Sequence, residues 1–205
     1  VALYADYTQG PAYLDGTVGV AYGDGTTRRN VALPGRPGQA AGHVTDTQVT
    51  GSLEAGYGLA LGQATLTPFV GLALGAVDQD AFTETGAGAL DLRVAKQSQS
   101  SVKSTLGARL GTDLALGGIL VTTDLSIGWA HEFAPIGRGS TAAFAGAPAA
   151  GFQVAGVKVP GDSALIGFGL ATAVFANTSL YVHYDGDLAS GASSNAITAG
   201  VRFSW

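Results

Sequence analysis

The chain contains no cysteine and no methionine, and Asp, Glu, Lys and Arg together make up only 12% of its 205 residues. Without thiols, a disulfide framework and any thiolate-ligated metal site are excluded. The charged fraction is about half that of an ordinary soluble domain, which needs such residues to cover its surface. Long apolar runs are missing too. Gly, Thr, Ser and Asp interrupt every apolar stretch well short of the ~18 residues a membrane-spanning helix requires, so a helical membrane protein is excluded. The formal net charge is −5 with no basic stripe, so nucleic acid is not an expected partner. No basic leader precedes an apolar segment after Val1, and the chain reads as a mature piece or a fragment.

Glycine is abundant, at 32 residues, and 46% of the chain is hydrophobic. The way to cross a bilayer without long apolar runs is a closed β-barrel, whose strands alternate apolar and polar faces. About nine segments show period-two alternation over roughly the nine to twelve residues that a tilted membrane strand needs. Leu3–Thr8 and Tyr13–Tyr22 flank Gly10 and Pro11 and predict a hairpin. In Thr47–Leu61, the residues Val49, Leu53, Ala55 and Tyr57 oppose Gln48, Thr50, Ser52 and Glu54. Leu66–Val77, Val102–Leu116, Val121–Phe133, Ser163–Val174, Leu180–Leu188 and Ala196–Trp205 continue the pattern.

Between these segments, short joins tend to alternate with longer, breaker-rich stretches. Gly and Pro crowd the stretch from Asp24 to Gly42, which therefore predicts a long loop, and residues 78–96 and 134–150 predict two more. Long loops on one side and short turns on the other are the asymmetry of outer-membrane barrels. One strand face is Leu, Val, Ile, Ala and aromatic. The other is Gly, Ser and Thr with scattered charges: Asp6, Asp15, Glu54, Lys103, Arg109, Asp124, Glu132, His183, Asp185 and Arg202. A soluble sandwich also alternates, but its outer face would carry more Lys and Glu than this one does. The charged positions are accordingly expected to line a wet lumen. Tyr57, Trp129 and Phe133, with Tyr4, Tyr7, Tyr13 and Tyr22, fall near segment ends and fit aromatic girdles.

Neither catalysis nor metal binding is expected. His43, His131 and His183 lack ligand spacing, and His131 and Glu132 fall on opposite faces. His183 and Asp185 share a face and could be argued as a base with its orienting partner, but such a pair is more often lining. Gly86–Gly88 opens no helix and is no phosphate loop. The chain stops on an aromatic residue within a strand pattern, with Ile197, Ala199, Val201, Phe203 and Trp205 on one face. That end resembles the terminal-strand signal by which outer-membrane barrels are recognised for assembly.

Seven stretches, in order, resemble the translocator β-domain of autotransporters, the type V secretion proteins of Gram-negative bacteria. They are Ser52–Tyr57 (SLEAGY), Leu66–Phe69 (LTPF), Phe82–Gly88 (FTETGAG), Ser104–Arg109 (STLGAR), Gly128–Phe133 (GWAHEF), Phe144–Pro148 (FAGAP) and Tyr184–Gly186 (YDG). The resemblance implies an all-β, antiparallel transmembrane β-barrel in the outer membrane, here incomplete, with about nine strands of a twelve-stranded barrel. It implies that residues 1–205 are one barrel domain lacking its N-terminal strands, its linker helix and its passenger. The expected function is to anchor and translocate a secreted passenger, with Glu54 and Arg109 in the lining around the passenger linker. Expected partners are outer-membrane lipid, the protein's own passenger segment and the barrel assembly machinery; no cofactor is expected. A porin-like or structural outer-membrane barrel without a passenger is the alternative, and a soluble sandwich or an outer-membrane hydrolase is a third reading.

Overall fold

The structure, a computed structural model, describes residues 1–33, 36–134, 139–156, 158 and 160–203. In chain order its strands are β1 (Ala2–Gln9), β2 (Ala12–Leu33), β3 (Arg36–Tyr57), β4 (Leu59–Leu61), β5 (Ala64–Gln79), β6 (Phe82–Thr83), β7 (Leu92–Val94), β8 (Gln97–Leu116), β9 (Ile119–Glu132), β10 (Gly139–Phe144), β11 (Phe152–Ala155), β12 (Asp162–Phe175), β13 (Thr178–Ala189) and β14 (Ala192–Phe203). The long strands form one antiparallel sheet in the order β1-β2-β3-β5-β8-β9-β12-β13-β14, each hydrogen-bonded to the next. Strand β4 prolongs β3 beyond Gly58, whose N–H donates to the Pro11 carbonyl at 2.8 Å. The nine alternating segments are thus nine neighbouring strands of a meander.

The register keeps the alternation in phase from strand to strand. Leu53 opposes Leu72, Leu106 opposes Val70 and Trp129, and Ile127 opposes Ile166, so one face is continuously apolar. That face is open to its surroundings: Leu53 is 51% exposed, Leu106 57% and Ile127 61%. Among the described residues, the buried apolar side chains are only Ala40, Phe69, Ala130 and Ala142. No soluble sandwich of this size is held by four such residues, because its stability would come from burying the face that is bare here. The apolar face needs lipid as its solvent.

The polar face is the concave one. Adjacent strands lie ~4.8 Å apart, so strands β8 and β13, with β9 and β12 between them, would stand about 14 Å apart in a flat sheet. Lys103 of β8 nevertheless reaches Asp187 of β13 at 3.3 Å, and Arg109 of β8 reaches Tyr13 of β2 at 2.7 Å. Such contacts need a sheet curled toward that side.

Two-residue turns join β1 to β2, β4 to β5, β8 to β9 and β12 to β13, all at one end of the sheet. At Gly117 and Gly118 both residues have positive φ, 61° and 85°, which a hairpin twisting with its strands requires and which side chains disfavour. At the opposite end the expected long loops turn out differently. The breaker-rich stretch from Asp24 is not an irregular loop: β2 and β3 stay paired from Ala12↔Tyr57 to Leu33↔Arg36. Residues beyond Tyr22 therefore form a two-stranded arm of about 35 Å. Its Gly and Pro residues sit where the ribbon has no lipid to face, so strand propensity there yields to cross-strand hydrogen bonding. Residues 78–96 and the stretch beyond 134 likewise contain β6, β7, β10 and β11, a second sheet in the order β11-β10-β7-β6. Parts of the predicted loop at 134–150 lie outside the described residues.

This second sheet is tied to the arm. Thr85 and Ala41 exchange backbone hydrogen bonds at 2.8 and 2.9 Å. Arg29 donates to both oxygens of Glu84, at 3.2 and 2.5 Å, and to the Leu90 carbonyl at 2.9 Å. The Leu92 N–H also donates to Glu84 at 2.9 Å, and Glu84 is buried, at 5% exposure. The Arg29 bond holds the Glu84 carboxyl below the usual carboxylate range. A depressed folded pKa stabilises at and above the ordinary carboxylate range, and that contribution is lost as pH falls through the depressed value. Arg29→Met strands a buried carboxylate, at a cost of about 1–3 kcal/mol. Hydrogen exchange of residues 82–94 is expected to quicken in that variant at neutral pH, and in the unaltered protein only below about pH 4. Unchanged exchange in the variant would show that the arm does not hold the second sheet.

Candidate functional site: the polar concave face

Strand parity carries each charge to the concave face. Asp6 and Asp15 are cross-strand partners, Asp15 is paired with Glu54, and Arg109 is paired with Ser126. Lys103, Asp124, Glu132, His183, Asp185 and Arg202 fall in the same phase on β8, β9, β13 and β14, so all ten charged positions expected on one face share it. The structure adds Asp113 on β8, beside Thr122, and Asp187 on β13. Parity was the available signal for both, since each stands an even number of residues from a charge already assigned.

On one wall Tyr13, Glu54 and Arg109 close a triad. Arg109 donates from Nη1 to Glu54 Oε1 at 2.7 Å and from Nη2 to Oε2 at 3.0 Å. Tyr13 donates to the same Oε1 at 2.7 Å and accepts from Arg109 at 2.7 Å. The fork of the guanidinium matches a carboxylate, which makes this pair directional as well as attractive. Tyr13 is therefore not a girdle residue, as its place near a strand end suggested. It lies on the lumenal side, over Gly56, where an added Cβ would come within 2.3 Å of its ring.

Phe69 props the triad from beside it. The Arg109 guanidinium stacks on the Phe69 ring, 4.1 Å from its centroid. The ring lies flat because Gly107 is its cross-strand partner, and a Cβ there would stand 2.5 Å from Phe69 Cζ and 2.7 Å from the Ile127 carbonyl oxygen. A glycine's missing side chain is thus filled by an aromatic ring from the next strand.

The other wall is acidic. His183 faces two carboxylates, Asp185 through Nε2 at 3.1 Å and Asp124 through Nδ1 at 3.6 Å. His183 thus hydrogen-bonds Asp185, while Asp124 stands beyond hydrogen-bond distance on its other side. Lys103 holds Asp187, and Arg202 stands 5.9 Å from the Tyr181 ring. Glu132, buried at 8% exposure, accepts from Ser101 and from the Val102 and Ala134 N–H groups, at 2.8 and 2.9 Å for the latter two. It fastens the loop-side end of β9 rather than facing open space.

On the convex face Tyr57 stands at the short-turn end, and Trp129 and Phe133 at the loop end, on either side of the apolar band. His131 sits between Trp129 and Phe133 at ring distances of 5.6 and 4.6 Å. Asp162 accepts from Trp129 Nε1 at 3.0 Å and faces His131 Nδ1 at 2.9 Å. These polar tips with apolar bodies suit a headgroup depth. Ile197, Ala199, Val201 and Phe203 line the convex face of β14, and Trp205 lies outside the described residues.

A double-mutant cycle of Glu54→Gln and Arg109→Gln is expected to give a coupling of about 0.5–3 kcal/mol in urea unfolding from detergent. Additive effects would mean that the two side chains do not act as a pair. Gly107→Ala should destabilise by a similar amount through the displaced Phe69 ring.

The comparisons with known proteins agree with this architecture. The family model described as "Autotransporter beta-domain" matches residues 1–185. Two proteins of Serratia marcescens, each called an extracellular serine protease, are 32% and 31% identical over 151 residues. The match takes in 74% of this chain but spans only 14% of the length of those relatives. The translocator domain of the autotransporter NalP from Neisseria meningitidis superimposes with a TM-score of 0.70 at 18% identity, over 98% of this chain and 65% of that one. That likeness speaks for the fold. With the family match over most of its length, the chain belongs to the autotransporter β-domains, the outer-membrane translocator barrels of Gram-negative bacteria.

Proposed function

We propose that this domain anchors a passenger in the outer membrane and lines the path of its export, the concave face enclosing the linker that joins the two. The observation that carries this reading is a nine-strand meander, apolar outside and polar inside, whose edges β1 and β14 have no strand partner among the described residues. Bare edges in hydrocarbon leave N–H and C=O groups unsatisfied at several kcal/mol each, so more strands must close the circle. About three strands preceding β1 supply that closure, after a linker and a passenger, and β14 seals against the first of them.

The charged and polar side chains of the concave face form the lining, with Glu54 and Arg109 bracing the wall beside the linker. Tyr57, Trp129 and Phe133 set the depth of the barrel in lipid. The apolar row on β14 that ends in Phe203, with Trp205 following it in the sequence, is the handle for the assembly machinery. This reading assigns the domain no chemical step. The protease in the name of the Serratia relatives belongs to proteins of which the matched part is 14%.

The test is to express the complete reading frame in a Gram-negative host and treat intact cells with protease. The expected result is a passenger that is cut from outside while the heat-modifiable barrel stays in the membrane. A passenger that remains inside, or a barrel that conducts freely and has no passenger, would favour the porin-like alternative.

A further inference from the structure

The charges on the concave face do not balance. From the short turns up to the Lys103–Glu132 register, eight carboxylates meet three cations there, Lys103, Arg109 and Arg202, an excess of five; Asp46, in the same phase on β3, lies farther out and accepts from Gln48 at 2.8 Å. Half of the carboxylates are answered within the sheet. Glu54 has Arg109 and Tyr13, Asp187 has Lys103, Glu132 has three donors, and Asp113 accepts from Thr122 at 2.7 Å.

The other half stand on two separate walls. Asp6 faces Asp15 across β1 and β2, and Asp15 faces Glu54 across β2 and β3, three carboxylates abreast of which Glu54 alone bonds a guanidinium. Like charges directly opposite each other destabilise a sheet. Asp124 and Asp185 stand on β9 and β13 with only His183 between them. A curled wall of one sign focuses its field into the space it encloses, where screening by bulk salt is weakest.

We propose that the segment occupying this face is cationic: the linker carries more Lys and Arg than Asp and Glu, and its cations meet Asp6 and Asp15 on one wall and Asp124 and Asp185 on the other. This rests on the export reading above and goes beyond it by giving the occupant's charge. A segment of opposite sign inside the lumen reaches both walls at once, whereas strands added beside β1 and β14 can reach Asp6 and Asp185 but stand six and four strands from Asp124, farther than the three strands that Lys103–Asp187 and Arg109–Tyr13 cross.

Two measurements test it. The linker of the complete reading frame, taken as the roughly 25 residues before the first barrel strand, is expected to have a positive net charge; a neutral or negative one overturns the inference. The complete protein, with its passenger trimmed by external protease, is then placed in planar bilayers as the unaltered form and as Asp15→Asn/Asp124→Asn. Heat modifiability confirms that both barrels are folded. The variant is expected to show an open, conducting state about tenfold more often in low salt, the ratio that roughly 1.4 kcal/mol of lost pairing produces. High salt should bring the unaltered protein toward the variant. Equal closed fractions in both, insensitive to salt, would overturn the proposal while leaving translocation standing. Absence of any passenger or linker upstream would instead remove the export reading beneath it.

Discussion

In hydrocarbon there is no water to take up a backbone N–H or C=O, and every part of this architecture answers to that constraint. Nine neighbouring strands satisfy one another's backbone groups, and the two-residue turns let each strand return beside the last. The same pairing forces the alternation. Once each residue is held in a ladder, side chains have two directions to choose from, and lipid takes the apolar one. The charges are left the concave side.

From that placement the concave face acquires its character. Charges that would be scattered on a soluble surface are brought within reach across strands that are not neighbours. Curl turns Lys103 toward Asp187 and Arg109 toward Glu54 and Tyr13. Glycine has two uses here. It reverses the chain at the turns, and under Phe69 and Tyr13 it leaves a floor on which a ring can lie. The ring then orients a guanidinium, and the guanidinium orients a carboxylate.

Beyond the membrane the constraint changes, and so does the structure. There water can satisfy the backbone, yet the arm of β2 and β3 remains paired and the neighbouring segments fold into a small sheet against it. Among the described residues, most of the buried side chains lie in this outer part and along the rim: Ala40, Glu84, Asp91 and Ala142 outside, and Ala130 and Glu132 at the end of β9. What holds it is different in kind from the barrel wall. Polar groups such as Glu84 are buried with every partner supplied, and lipid has no part.

The period-two pattern was enough to find the nine strands, their order and their two faces, because lipid on one side makes each strand declare its register on its own. Residues such as Glu54, Arg109, Asp124 and His183 could be put on one face by counting alone. The convex side of Ile197, Ala199, Val201 and Phe203 on β14, and of Trp129 and Phe133 at the end of β9, follows from the same counting. Counting puts Tyr13 on the face of Asp15 but could not say that it joins Glu54, that Asp187 takes up Lys103, or that Arg29 finds Glu84, which lies 55 residues away in the chain. Those meetings depend on sheet curvature and on which strands stand two or three places apart, quantities that local alternation does not carry. Nor could it show the outer arm and second sheet, where Gly and Pro read as breakers. Strand identity was written locally by the lipid, whereas partnership across the concave face and above the membrane was decided by tertiary geometry, since only folding brings distant side chains within hydrogen-bonding range.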